Sequence, residues 1–383
     1  MRRNKYIFSG TVIMFSVILI LFFIITVVSC KGANSKEVTA STSGLETVNG
    51  SKPESANSNT GLEENKKNKI LENGSESDCT APETVQAESD VRGSGKLSGE
   101  KLIKDINEML KQQVPPFNAL LFLDRNISLF EGKDADMAID SVEKLLIIYQ
   151  VKYSEMLSAE EGQDFQKQLN DFVAGYGTIS NGEITMEQAA HIWDEELSNL
   201  LDEIYESGFK LVNFEGIWFA VIDYSRMLSY SSYLSEDYAE SIAFKAVESD
   251  KIYVKDAALK ITWDEISTRL LNAEDFLMRY PESEKYYEMA GKYFDYLAAY
   301  IIGTNNTPSF DYDTNKFKPE VLESYKNMVN NNKYAGFFTV FLVKNLIKAI
   351  EENSYLMNGA VRDFIKKSGK EAEQYFGVKD PYA

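Results

Sequence analysis

Histidine is nearly absent from this chain of 383 residues, and cysteine occurs only twice, as Cys30 and Cys79. Zinc centres assembled from several histidines or cysteines are therefore excluded. Any nucleophilic system with a histidine base would have to use His191, the one histidine present. A phosphate-cradling glycine loop, a nucleophile elbow and a paired-cysteine motif are all missing. The formal net charge is −19 and long Lys/Arg-rich runs are lacking, so the electrostatic footprint of a nucleic-acid binder is not there. Such a charge also repels other anions, including anionic headgroups. Prolines number eight, and long strand-like alternation does not occur.

What is present first is an N-terminal export pattern. Met1-Arg2-Arg3-Asn4-Lys5 precedes an apolar stretch from Tyr6 to Val28, followed by Ser29-Cys30. A basic start, an apolar middle and small residues before a cut are the layout of a signal peptide. Val27-Val28-Ser29-Cys30 resembles the lipobox of bacterial lipoproteins. That resemblance implies cleavage before Cys30, a Cys30 thiol carrying diacylglycerol with further acylation such as palmitate, and a lipid-anchored protein at the cell membrane. Two acyl chains hold a protein on a bilayer firmly. The alternative is an uncleaved membrane helix, since about 20 apolar residues suffice to span a bilayer. Because Arg2, Arg3 and Lys5 precede the segment, both readings put residues 31–383 on the extracytoplasmic side. With Cys30 acylated, Cys79 has no partner within the chain and reads as an incidental cysteine of the linker, or else as a reactive thiol or an intermolecular link.

Three regions follow: a signal peptide over 1–29, a lipidated cysteine and polar linker over 30–98, and a helical extracytoplasmic domain over 99–383. The linker is rich in Ser, Asn, Glu, Lys, Thr and Gly and has no aromatic residue. Such a composition cannot bury enough apolar surface to offset its ordering entropy. As a flexible coil it would span roughly 45 Å, enough to hold a domain clear of the membrane.

From Leu97 onward Phe, Tyr, Leu and Ile are frequent, and the pattern predicts an all-α domain of nine to eleven helices. Ser158-x-x-Glu161, Thr185-x-x-Gln188 and Thr262-x-x-Glu265 read as capping boxes, with Ile184 and Ile261 placed as hydrophobic staples. Pro281 and Pro319 sit where a first helical turn accepts proline. Asn181-Gly182 is a turn between helices, or else closes a hairpin between 178–180 and 183–185. The stretch Phe214–Tyr224 is apolar nearly all round and reads as a buried central helix. Tyr334–Ile347 is too short and interrupted to span a bilayer and reads as a core helix.

One segment carries a second resemblance. Ala273-Glu-Asp-Phe276-Leu-Met-Arg-Tyr280-Pro281-Glu-Ser283 is similar to the helical hairpin of tetratricopeptide proteins found among exported bacterial lipoproteins. Phe276 and Tyr280 are four apart and share a helix face. The resemblance spans Thr262 to Ile302 in a single copy, whereas an array needs about three. It implies tetratricopeptide-like packing locally.

Candidate chemistry is sparse. Glu187, His191 and Glu195 at spacings of four would share a helix face, either as a metal site completed from another helix or as a solvated acidic face. Asp311-x-Asp313-x-Asn315 begins like a calcium loop, but Lys316 and Leu322 stand where glycine and the bidentate glutamate belong. These three are the metal candidates, and no cofactor is expected. Tyr224, Tyr230, Tyr233 and Tyr238 would line a sugar or peptide groove, each offering an apolar face and a hydroxyl, or else fill packing layers. The function expected is a non-catalytic, membrane-tethered lipoprotein acting as a protein-interaction or scaffold module at the bacterial cell envelope, with an envelope or surface protein as partner and no nucleic acid. The alternatives are a glycan- or small-molecule-binding lipoprotein and an acid-pair glycan hydrolase, whose chemistry needs only two carboxylates.

Overall fold

The computed structural model describes residues 99–130, 132–158, 164–176 and 182–380. The apolar N-terminal segment, Cys30, Cys79 and the linker lie outside the described residues, as do most of the Ser158 capping box and Asn181 with 178–180. Among the described residues the fold is predominantly helical, with thirteen α-helices and a few short strands. Two of the helices are four-residue turns, which accounts for the excess over the expected nine to eleven.

The first part runs α1 (Gly99–Gln112), α2 (Pro116–Asn126), α3 (Lys133–Ser158), α4 (Phe165–Tyr176), β1 (Glu183–Ile184), α5 (Met186–Ala189) and α6 (Glu195–Glu206). Ser158 is the last residue of α3, and α4 is capped by Asp164, whose carboxylate accepts from the Lys167 N–H at 2.9 Å. The box at Thr185 forms in full. The Thr185 hydroxyl accepts from Gln188 N–H, and the Gln188 amide oxygen accepts from Thr185 N–H at 2.9 Å. At Thr262 only the cap half forms, because the Glu265 carboxylate turns to Lys251 and Arg269 instead.

The expected central helix at 214–224 is instead a β-hairpin. β2 (Phe209–Phe214) pairs antiparallel with β3 (Ile217–Ile222), and β1 adds to the other edge of β2. Glu215 and Gly216 form the two-residue turn, both with positive φ (51° and 86°), the geometry that matches strand twist in a tight hairpin. A helix cannot accept two successive positive φ values. β3 is buried nearly throughout, with Trp218, Phe219, Ala220 and Ile222 in the core, and a strand covered on both faces shows no alternation. Its free edge at Trp218 is satisfied by a side chain. Gln166 accepts from Trp218 N–H at 2.7 Å and donates to Trp218 C=O at 2.9 Å.

After the hairpin come α7 (Tyr224–Met227), a 3₁₀ turn at Leu228–Tyr233 and α8 (Glu236–Asp250). The second part contains α9 (Trp263–Arg279), α10 (Tyr286–Ile301), α11 (Pro319–Asn330), α12 (Phe338–Glu352) and α13 (Gly359–Phe376). Two-residue strand pairs β4–β5 (Val254–Lys255, Ala258–Leu259) and β6–β7 (Gly303–Thr304, Thr307–Pro308) punctuate it. Helices α9 and α10 form the expected hairpin, and Phe276 and Tyr280 meet edge-on at 5.1 Å between ring centres. Pro281 lies in the connecting loop rather than in the first turn of α10, which begins five residues later. Pro319 does open α11. The run 334–347 supplies most of α12, with Val340, Leu342, Val343 and Leu346 buried and Phe341 exposed.

Among the described residues there are two hydrophobic cores, one drawn from Leu102–Ile242 and one from Ile261–Phe376. α8 belongs to both. Its Ile242 is in the first, and its Phe244 packs against the second. Among the described residues every core residue falls between Leu102 and Phe376, so a fragment of residues 99–383 retains both cores. No helix of the described residues is long and apolar enough to cross a membrane.

Candidate functional site

The four tyrosines expected to line one groove have separate surroundings, and two of them meet at a buried acid. Glu143 projects from α3 into the junction between the two cores and is 3% exposed. Lys245 of α8, 5% exposed, pairs with it and also with Glu288 of α10 at 2.7 Å. Lys285, just before α10, reaches Glu143 and Asp140, each at 3.3 Å. Tyr224 donates its hydroxyl to one Glu143 oxygen at 2.9 Å and Tyr238 to the other at 3.3 Å. Their rings lie under the cations, Lys285 at 4.4 Å over Tyr238 and Lys245 at 5.5 Å over Tyr224.

Burial by itself raises the Glu143 carboxyl, but the Lys245 and Lys285 ammonium groups outweigh it and hold the acid down, to about 2. Burial likewise opposes the charge on Lys245, and Glu143 with Glu288 reverses the effect and raises it well above the usual lysine value. Burial and the Glu143 charge push both tyrosine hydroxyls upward, so they stay donors. The cluster is thus a charge-compensated lock between α3, α8 and α10. Tyr230 is committed elsewhere, donating to Asp124 at 2.6 Å, and Tyr233 is partly exposed. The four do not converge.

The Glu187–His191–Glu195 row does not exist as a helix face. α5 stops at Ala189, and Asp194 opens a new helix by accepting from Leu197 N–H at 2.8 Å. His191 sits in the exposed break, with its ring 6.0 Å from that of Tyr176. Asp311, Asp313 and Asn315 form a closed turn. The Asp311 carboxylate accepts from the Thr314 N–H at 2.7 Å and from its hydroxyl at 2.8 Å, and the Asn315 carbonyl accepts from Met357 N–H at 2.7 Å. Among the described residues no group of three His, Cys, Asp or Glu side chains is placed to hold a metal ion.

Two features that the amino-acid pattern did not single out are better candidates. Trp193, in the break between α5 and α6, is 99% exposed. Met186, Glu187, His191 and Glu195 are exposed in the same segment, and Tyr176 is exposed beside His191. The signal that would have revealed it is Asp194-Glu195-Glu196, an N-cap followed by first-turn acids. Such a start puts Trp193 outside the helix.

The second is a groove of about 300 Å³ between α10 and α13. Phe294, Leu297, Ala298 and Ile301 form its α10 wall, and Ile365 and Gly369 its α13 wall, with Lys366 and Lys370 at the edge. Glu373 and Asp380 also line it, Glu373 accepting from the Asp380 N–H at 2.9 Å. Gly369 leaves open space where a side chain would stand. No family model, curated protein or solved structure matches the chain.

Proposed function

We propose that this protein is a membrane-tethered extracytoplasmic lipoprotein that acts without catalysis, as a protein-interaction module at the bacterial cell envelope. Cys30 would carry the lipid, the polar residues 31–98 would act as a spacer, and residues 99–383 would meet the partner. The α9–α10 pair would pack in the tetratricopeptide manner within that domain.

The observation that carries the reading is Trp193. A tryptophan buries roughly 150–250 Å² when covered and is enriched among the residues that dominate binding energy. Here it contributes nothing to either core. The acids Glu187 and Glu195 in the same segment favour a partner with a basic rim around an apolar pocket. The buried Glu143–Lys245 cluster supports a non-catalytic reading of the interior, since its charges are paired with one another.

The test is cross-linking in intact cells followed by recovery of the tagged full-length protein. One envelope protein recovered with wild type and lost with Trp193→Ala supports the reading. Equal recovery with both proteins, or none with either, refutes it. The tether is checked separately by mass. A Cys30→Ala protein that still carries acyl groups would sink it.

A second reading, a lipoprotein that binds a small molecule, is favoured by the apolar groove between α10 and α13. It no longer has the four tyrosines as its site.

A further inference from the structure

From the groove between α10 and α13 we infer a binding site for a single-chain amphiphile with an anionic head, such as a fatty acid, seated with its chain on the α10 wall and its head at Lys366 and Lys370. The inference rests on the small-molecule reading above and is independent of Trp193.

Three observations carry it. The first is the lining. Phe294, Leu297 and Ile301 are buried residues that also border the groove, and Ile302 continues the apolar strip at 46% exposure. From Phe294 to Ile302 the strip runs about 12 Å along α10 at 1.5 Å per residue, a length suited to a medium acyl chain. The volume, about 300 Å³, lies at the small end of ligand clefts.

The second is charge. Lys366 and Lys370 are one helical turn apart on the same side of α13. Neither makes an ion pair among the described residues, whereas Lys367 between them pairs with Glu371 at 3.4 Å. A chain of net charge −19 repels anions in general, so two uncommitted ammonium groups beside an apolar strip are a local exception. Glu373 and Asp380 border the groove as well. Their charges disfavour an anionic head near them and direct it to the lysines.

The third is Gly369. Inside a helix a glycine costs stability relative to alanine, and no positive φ or close approach requires one here. Its effect is to keep the groove open.

The experiment is calorimetric titration of residues 99–383 with dodecanoate and, separately, with dodecan-1-ol. Gly369→Leu fills the groove from a position with free space and a better helix former. It is expected to weaken both ligands at least about tenfold, the equivalent of 1.4 kcal/mol, while its circular dichroism stays that of wild type. Lys366→Gln with Lys370→Gln is expected to weaken dodecanoate about fivefold or more and leave dodecan-1-ol unchanged. Saturable dodecanoate binding with both effects supports the site. Equal binding of acid and alcohol, unaffected by the lysine changes, overturns the anionic class and leaves a neutral-ligand groove. Binding of neither, or binding indifferent to Gly369→Leu, overturns the groove as an amphiphile site; the small-molecule reading fails separately, if no ligand of any class shifts the thermal midpoint of the wild-type protein.

Discussion

Replacing Glu143 by glutamine tests whether the charge cluster holds the two cores together. The amide keeps the volume and one acceptor oxygen. It removes the charge that compensates Lys245 and Lys285 and replaces the second acceptor, used by Tyr238, with a donor. The Lys245 and Lys285 ammonium groups hold the carboxyl below its usual value, so its charge favours the fold. Breaking a buried ion pair from one side costs about 3–5 kcal/mol, because the remaining charge is left without its partner. Lys245 keeps Glu288, so the lower end, about 3 kcal/mol, is expected. Urea unfolding of residues 99–383 followed by circular dichroism measures it as a shift in midpoint at unchanged slope. Lys245→Met belongs in the same series. In the double variant neither Glu143 nor Lys245 faces the other's missing charge, although Lys285 and Glu288 each still lose a partner, so the loss should fall short of the sum of the two single losses. A Glu143→Gln loss below about 1 kcal/mol, or strict additivity with Lys245→Met, would refute the lock.

Four further outcomes are expected. Glu143 is depressed on folding, so its stabilisation is fully present above about pH 4.5 and is lost as the pH falls toward about 2; Glu143→Gln should flatten that part of the acid unfolding curve. Glu274 has the opposite sign. Burial raises its carboxyl despite bonds from Thr339 and Phe338, so its contribution favours the fold at low pH and declines as pH rises above about 4.5; Glu274→Gln should remove that decline in a stability–pH series. Gly303→Ala should cost about 1–3 kcal/mol, because φ is +82° and a Cβ would press on the backbone of Thr307, Pro308 and Ser309; a thermal midpoint unchanged from wild type would contradict the geometry. Trp193→Ala should change stability by no more than about 0.5 kcal/mol, and a larger drop would show that Trp193 serves the fold rather than a partner.

The helical elements were legible because their signals are local. Thr185 with Gln188, Thr262 at the start of α9, Pro319 at the start of α11 and the Phe276–Tyr280 spacing all act within one or two turns of chain. The hairpin at 209–222 was not legible. Its burial on both faces removed the alternation that marks a strand, and a Glu-Gly turn is a weaker signal than Asn-Gly. The His191 row failed at a single residue, Asp194, whose capping bond ends one helix phase and starts another.

By itself the amino-acid sequence determined the helical class of the domain, the exclusion of multi-histidine metal chemistry and the N-terminal pattern that suggests a lipid anchor. Composition and short-range spacing carry those statements. Only the tertiary structure decided where the tyrosines point, that Glu143 meets Lys245 across 102 positions, that Trp193 is left outside both cores and that α10 and α13 part at Gly369. The physical reason is range. A hydroxyl, an ammonium group or an indole chooses its partner from whatever the packed helices bring within a few ångströms, and that neighbourhood is assembled from segments far apart in the chain.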